Sequence, residues 1–115
     1  MSDEKVETVR SRSSGVVGRA VSNARNHHFG LDSSTAPEAL SISEAFLAGI
    51  SSCAVTLVEG HARDTGVPLR RMEVTIACVR TATEPNRCQR IEMRFELHGV
   101  DQATAERLVD TYKAR

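Results

Sequence analysis

The segment Ser41-Ile-Ser-Glu44-Ala-Phe-Leu-Ala-Gly-Ile-Ser-Ser-Cys53-Ala-Val-Thr-Leu-Val-Glu-Gly60 is the longest mainly apolar stretch of the chain, and one cysteine sits near its middle. Ser, Ala and Gly crowd around that cysteine, so other elements can approach closely on several sides, as they would around a buried central helix. Ser41-x-x-Glu44 is a capping box: the serine oxygen takes an orphan amide and the glutamate reaches back. Phe46, Ile50, Cys53 and Leu57 follow at spacings of four, three and four and share one stripe. Gly66 suits a left-handed terminator and Pro68 blocks continuation. A helix over 41–64 is expected.

The flanking chain reads as strands, a hairpin and a second helix. Residues 4–12 are β-tolerant and polar; after Ser13-Ser14-Gly15, residues 16–22 read as a second strand and 27–32 as a short third, with a turn at Asn23-Ala24-Arg25-Asn26. Beyond the helix, 71–79 places Met72, Val74, Ile76 and Cys78 on one face. Residues 90–98 alternate more cleanly, and Thr81–Arg87, with Glu84-Pro85-Asn86, is turn chemistry. Asp101 then caps a helix whose stripe is Ala105, Leu108, Val109 and Tyr112. The order β-β-β-α-β-β-α is that of an α+β domain wrapped around a long helix. With 115 residues one domain is expected. A chain of this size removes only about two-thirds of its unfolded surface from water, so a core shared with a second copy would help it.

Charge and cysteine usage narrow the functional classes. Fifteen basic residues balance fifteen acidic ones without a basic stripe, so nucleic acid and anionic lipid are not expected partners. A KH-like reading fails for want of a basic face. The charged N-terminus has no apolar signal region and no apolar run approaches the roughly 18 residues of a membrane span; a cytoplasmic protein is expected. Cys53, Cys78 and Cys88 are an odd number without close pairs, which indicates neither a disulfide framework nor a CxxC zinc site. Cys78 falls on the inward face of its strand and reads as core, Cys88 as an incidental surface thiol. His27 and His28, adjacent on a strand, point to opposite faces. No metal site and no cofactor is expected.

Ala36-Pro37-Glu38, the helix Ser43-Glu44-Ala-Phe-Leu-Ala-Gly-Ile-Ser-Ser-Cys53, and the hairpin end Phe95-Glu-Leu-His-Gly99-Val-Asp101 with its following helix together resemble the OsmC/Ohr family, the osmotically induced and organic hydroperoxide resistance proteins. Asn23-Ala-Arg25-Asn-His27 is also similar to a turn of some OsmC-like members. The resemblance implies an intertwined homodimer enclosing two long helices. It further implies thiol peroxidase chemistry: a cysteine attacks an organic hydroperoxide, becomes a sulfenic acid and condenses with a second cysteine to a disulfide that a dithiol reductant reopens. In the family a second cysteine opens a Cys-Pro pair after the second helix. Here the chain reads as a single OsmC-like domain over 1–115 without that segment or the family's last strand.

Cys53 is accordingly the candidate nucleophile. A free thiol with a pKa of about 8.5 needs a nearby cation to become thiolate, and mid-helix the dipole helps little. Arg19 and Arg25 precede the helix as candidate guanidinium donors, and Gly18-Arg19-Ala20 is the more similar to the Ohr-type arginine. Glu44 resembles the glutamate that orients this arginine. It precedes Cys53 by nine residues, however, which at about 100° per residue puts it about 180° round the helix; it serves equally as a cap, with Glu38 as a substitute. The alternative on the same scaffold is a non-catalytic dimer that binds a small apolar ligand or senses redox state.

Overall fold

The computed structural model describes residues 3–114. Its order is β1 (Arg10–Ser13), β2 (Arg19–Ala24), β3 (His27–Asp32), α1 (Ile42–Asp64), β4 (Arg71–Val79), β5 (Arg90–His98) and α2 (Gln102–Lys113), the α+β sequence of elements expected. Two compact units divide within α1, between Phe46 and Leu47.

The first unit is an antiparallel meander, β1-β2-β3. Its strands are shorter than expected. Residues 4–9 carry no regular structure, so the first strand begins at Arg10 instead of in the charged run before it. The second starts at Arg19 instead of Val16, because Val16-Val17-Gly18 is spent in the turn: Arg19 N donates to Val16 O (3.1 Å), Gly18 has φ +93° and Val17 is exposed. Arg25 and Asn26, at φ 49° and 68°, form the two-residue connection between β2 and β3. Two successive left-handed residues match the right-handed twist of the strands they join. After β3 the chain returns towards its end: Asp32 N donates to Leu40 O (2.9 Å), and Asp32 bridges Ser41 in parallel.

The capping box is present as the sequence predicts. Ser41 Oγ accepts from Glu44 N at 2.9 Å, and Glu44 Oε1 accepts from Ser41 N at 2.8 Å. At the other end Val67 N donates to Ala62 O (2.9 Å) and Gly66, at φ +72°, donates to Arg63 O. This is the Schellman closure, and a side chain at Gly66 would be strained in it.

In the second unit β4 and β5 pair antiparallel with Met72 opposite Leu97, Val74 opposite Phe95, Ile76 opposite Met93 and Cys78 opposite Ile91. These apolar pairs share one face of the hairpin. Val58, Ala62, Met72 and Leu108 form the buried core, with Phe95 and Tyr112 beside it at a ring separation of 5.7 Å. Asp101 caps α2 by accepting from Thr104 N (2.8 Å), and Leu108 is the residue of its stripe that becomes fully buried.

Three expectations are corrected here. The buried edge of α1 is Ala54, Val58 and Ala62, while Phe46 is 65% exposed and Cys53 is exposed. The two stripes lie about 100° apart on the helix; small residues at spacing four let the hairpin and α2 approach, which the bulkier Phe46 side does not. Next, Cys78 and Cys88 are neither a core thiol nor a surface thiol but a disulfide, their Cα atoms 5.6 Å apart. Ten residues separate them, and the hairpin turn brings them together across the strand pair. Finally, α1 is long and apolar enough, by length and composition, to cross a membrane. Serine, glycine and alanine interrupt the large apolar residues without adding charge, so no single run shows it.

Candidate functional site

Cys53 lies in the middle of α1, in the second unit, and is the free cysteine beside the Cys78–Cys88 pair. Its helical neighbours are arranged by local chemistry. Thr56 Oγ1 donates to Cys53 O (3.2 Å), and Ser51 Oγ donates to Leu47 O (3.1 Å). Both hydroxyls thus satisfy themselves on the helix carbonyls and leave their methyl or methylene groups outward. Ser51, Ser52, Val55 and Thr56 face Val74 of β4 across a crevice of about 280 Å³. Cys53 itself is not in its walls. A larger cleft, about 410 Å³, runs between β5 and α2 past Phe95, His98 and Asp110, with no cysteine in its walls.

The arginine candidates lie at the start of β2 and in the turn that follows it, in the first unit. Arg25 is exposed in the two-residue turn. Six residues away, roughly 20 Å along a strand, Arg19 is half-buried and held on both edges of a carboxylate. Its Nε donates to Asp32 Oδ1 at 2.6 Å and its Nη2 to Asp32 Oδ2 at 2.9 Å, with Glu38 Oε2 at 3.9 Å from Nη2. Glu44, the residue that the resemblance pairs with this arginine, has its carboxylate on Ser41 N. Among the described residues, Arg19, Asp32 and Glu38 are thus brought together, and Glu44 acts as the cap.

Asp32 was not singled out by sequence reasoning, although a signal for it existed. Once Arg25-Asn26 is assigned as the two-residue turn, antiparallel pairing counts outward from it and sets Arg19 opposite Asp32. Asp32 is wholly buried, and its Oδ2 also accepts from Glu38 N (2.9 Å) and Ala39 N (2.6 Å). The Arg19 hydrogen bonds and the Ala39 and Glu38 amides hold its pKa well below the usual carboxylate range, against the opposing effect of burial. Asp101 is shifted in the same direction by its hydrogen bonds from Thr104.

A folded-state pKa lowered in this way contributes stability that is present above the unfolded value, about 3.9 for aspartate, and is lost as pH falls through the folded value. The urea midpoint should accordingly stay level from neutrality to about pH 5 and decline below about pH 4. Asp32→Asn should decline less steeply over the acid range. An equally steep acid limb in that variant would show that other carboxylates carry the effect.

No family model and no curated protein matches the chain. Solved structures do. An OsmC-like protein from Mycoplasma pneumoniae superposes with TM-score 0.82 at 13% identity, over 99% of this chain and 84% of that one. An organic hydroperoxide resistance protein, OsmC, from Legionella pneumophila gives 0.67 at 16% identity, over 96% and 84%. The organic hydroperoxide resistance protein OhrB of Bacillus subtilis gives 0.61 at 14%, over 93% and 82%. At these identities the likeness establishes the fold, and the fold is that of OsmC.

Proposed function

We propose that this OsmC-fold chain is a thiol-dependent peroxidase that reduces organic hydroperoxides through Cys53. The observation that carries the reading is an exposed, unpaired cysteine in the middle of α1, on a fold shared with proteins described as organic hydroperoxide resistance proteins. In the reaction, Cys53 thiolate attacks the distal peroxide oxygen, the O–O bond breaks, and the departing alkoxide takes up a proton. The products are Cys53 sulfenic acid and an alcohol. A dithiol reductant then attacks the sulfenic sulfur, releasing water and forming a mixed disulfide. Its second thiol displaces Cys53 as thiol and leaves the reductant as a disulfide. The resemblance assigns Arg19 the part of the cation that favours the thiolate and the developing alkoxide.

The active form is a homodimer joined through α1. Only 11% of the helix's most apolar 18-residue window is buried in the single chain, and Leu40, Ile42 and Phe46 are all more than half exposed. Contiguous apolar surface of this kind marks an interaction site. A second copy presents the same surface and covers it by two-fold symmetry.

The decisive assay follows consumption of cumene hydroperoxide by the purified protein with a dithiol. Wild type is expected to turn over and Cys53→Ser to remain at the uncatalysed background. If both are equally inactive the enzymatic reading is wrong, and a ligand co-purifying with the folded protein would then favour a binding role.

A further inference from the structure

We infer that the Cys78–Cys88 pair is a thiol–disulfide exchange site for low-molecular-weight thiols, in which Cys88 takes the incoming thiol and Cys78 closes the bond again. The inference stands apart from the peroxidase reading and does not involve Cys53. The two cysteines are bonded across the end of the β4–β5 hairpin, their Cα atoms 5.6 Å apart. A disulfide sealed inside a core is closed to other thiols, because exchange needs a thiolate to reach one of the two sulfurs. Here both cysteines are half-buried, and the residues on either side of Cys88, Arg87 and Gln89, are exposed.

The fold holds the two sulfurs differently. Cys78 belongs to the ladder, opposite Ile91, on the hairpin face that also carries Met72, Val74 and Ile76. Strand pairing fixes its backbone, and apolar side chains stand beside it. Cys88 lies between the strands, after Val79 ends β4 and before Arg90 begins β5. The bonds of its loop are local: Arg80 Nη1 donates to Pro85 O, Glu84 N to Thr81 O and Arg87 N to Glu84 O, each at 3.2 Å, and Arg87 meets Glu84 at 3.7 Å. Beside the disulfide, Gln89 N donates to Val79 O at 2.8 Å. A segment bonded mainly to itself and open to solvent shifts at little cost. The loop therefore lets Cys88 turn towards an incoming thiol, while the ladder keeps Cys78 in place.

The exchange is balanced at each step. A small thiolate attacks Cys88 Sγ, the S–S bond breaks and Cys78 leaves as thiolate, so that Cys88 carries a mixed disulfide. From there two courses are open. Cys78 attacks Cys88 Sγ, expels the small thiolate and restores the pair, or a second small thiolate attacks the small molecule's sulfur and releases Cys88 as thiolate. The second course reduces the pair by two electrons and leaves the two small thiols joined as their own disulfide.

The test uses the full chain carrying Cys53→Ser, in which Cys78 and Cys88 are the cysteines that remain. The oxidised protein is mixed with reduced glutathione without denaturant, samples are quenched with acid, and peptide masses locate the adduct. Early samples should carry glutathione on Cys88 in about tenfold excess over Cys78. Late samples should take up iodoacetamide at both cysteines while circular dichroism stays that of the folded protein. Adding Cys78→Ser should trap the glutathione adduct on Cys88 after treatment with oxidised glutathione. Adding Cys88→Ser instead should slow adduct formation about tenfold, a difference that urea abolishes because it rests on the fold. Glutathione found mainly on Cys78 would overturn the assignment of the two roles. A pair that exchanges only in urea would overturn the site itself. Both outcomes are read from the Cys53→Ser protein alone, so they hold even if the doubly substituted chains do not fold.

Discussion

Serine at Cys78 or Cys88 is expected to lower stability by about 3 kcal/mol, a large share of what a domain of this size possesses. The disulfide closes a loop of ten residues' separation, and cross-linking a loop of that order withdraws freedom from the unfolded chain. The loop itself adds little that would compensate. Its backbone contacts are turn hydrogen bonds, Glu84 N to Thr81 O and Arg87 N to Glu84 O, both 3.2 Å, and its residues are mainly exposed. Urea unfolding decides the matter. Oxidised wild type should unfold at a higher midpoint than either serine variant, and dithiothreitol should bring wild type down to them while leaving the variants unmoved. Equal midpoints with and without reductant would show that the cross-link contributes nothing.

That result bears on the activity assay, because a dithiol that regenerates Cys53 also opens Cys78–Cys88. A parallel assay with a monothiol, and one with Cys88→Ser, separates regeneration of the nucleophile from loosening of the hairpin. The pair also removes one support for a cytoplasmic location. Structural disulfides persist chiefly in oxidising compartments, so cysteine usage no longer argues for a reducing one.

Glutamate at Phe46 is expected to halve the mass of the protein in solution. Phe46 is 65% exposed on α1, with Ile42 at 52% and Leu40 at 51% nearby, so in the single chain a glutamate there would be solvated and nearly neutral for folding. Buried against a second copy, the same carboxylate loses its water without a partner, at a cost of several kcal/mol. Because the two-fold repeats the substitution, the cost falls on both subunits. Sedimentation of wild type should give a dimer, and Phe46→Glu a folded monomer with unchanged far-ultraviolet circular dichroism. A monomeric wild type would leave the apolar side of α1 for some other partner, a membrane included; detergent-dependent solubility that Phe46→Glu relieves would identify that case.

Much of the architecture was legible because its signals are local. Reciprocal bonding of Ser41 and Glu44, closure at Gly66, the cap at Asp101 and the alternation of 71–79 and 90–98 each depend on residues within a turn or two, and each appears where the sequence puts it. The first sheet was read less well. Its strands are polar and exposed, as β1 is throughout, so no buried face imposes an alternation that marks their ends.

What the sequence determined by itself is the order of elements, the long helix with its caps, and Cys53 as the thiol set within it. Tertiary structure decided which helical stripe is buried, that Cys78 and Cys88 meet, and that Arg19 is held by Asp32 while Glu44 serves the cap. The physical reason is one of range. Caps and periodicity are written into neighbouring residues, whereas burial, disulfide pairing and the choice of ion-pair partner depend on which distant segments the folded chain brings within a few ångströms.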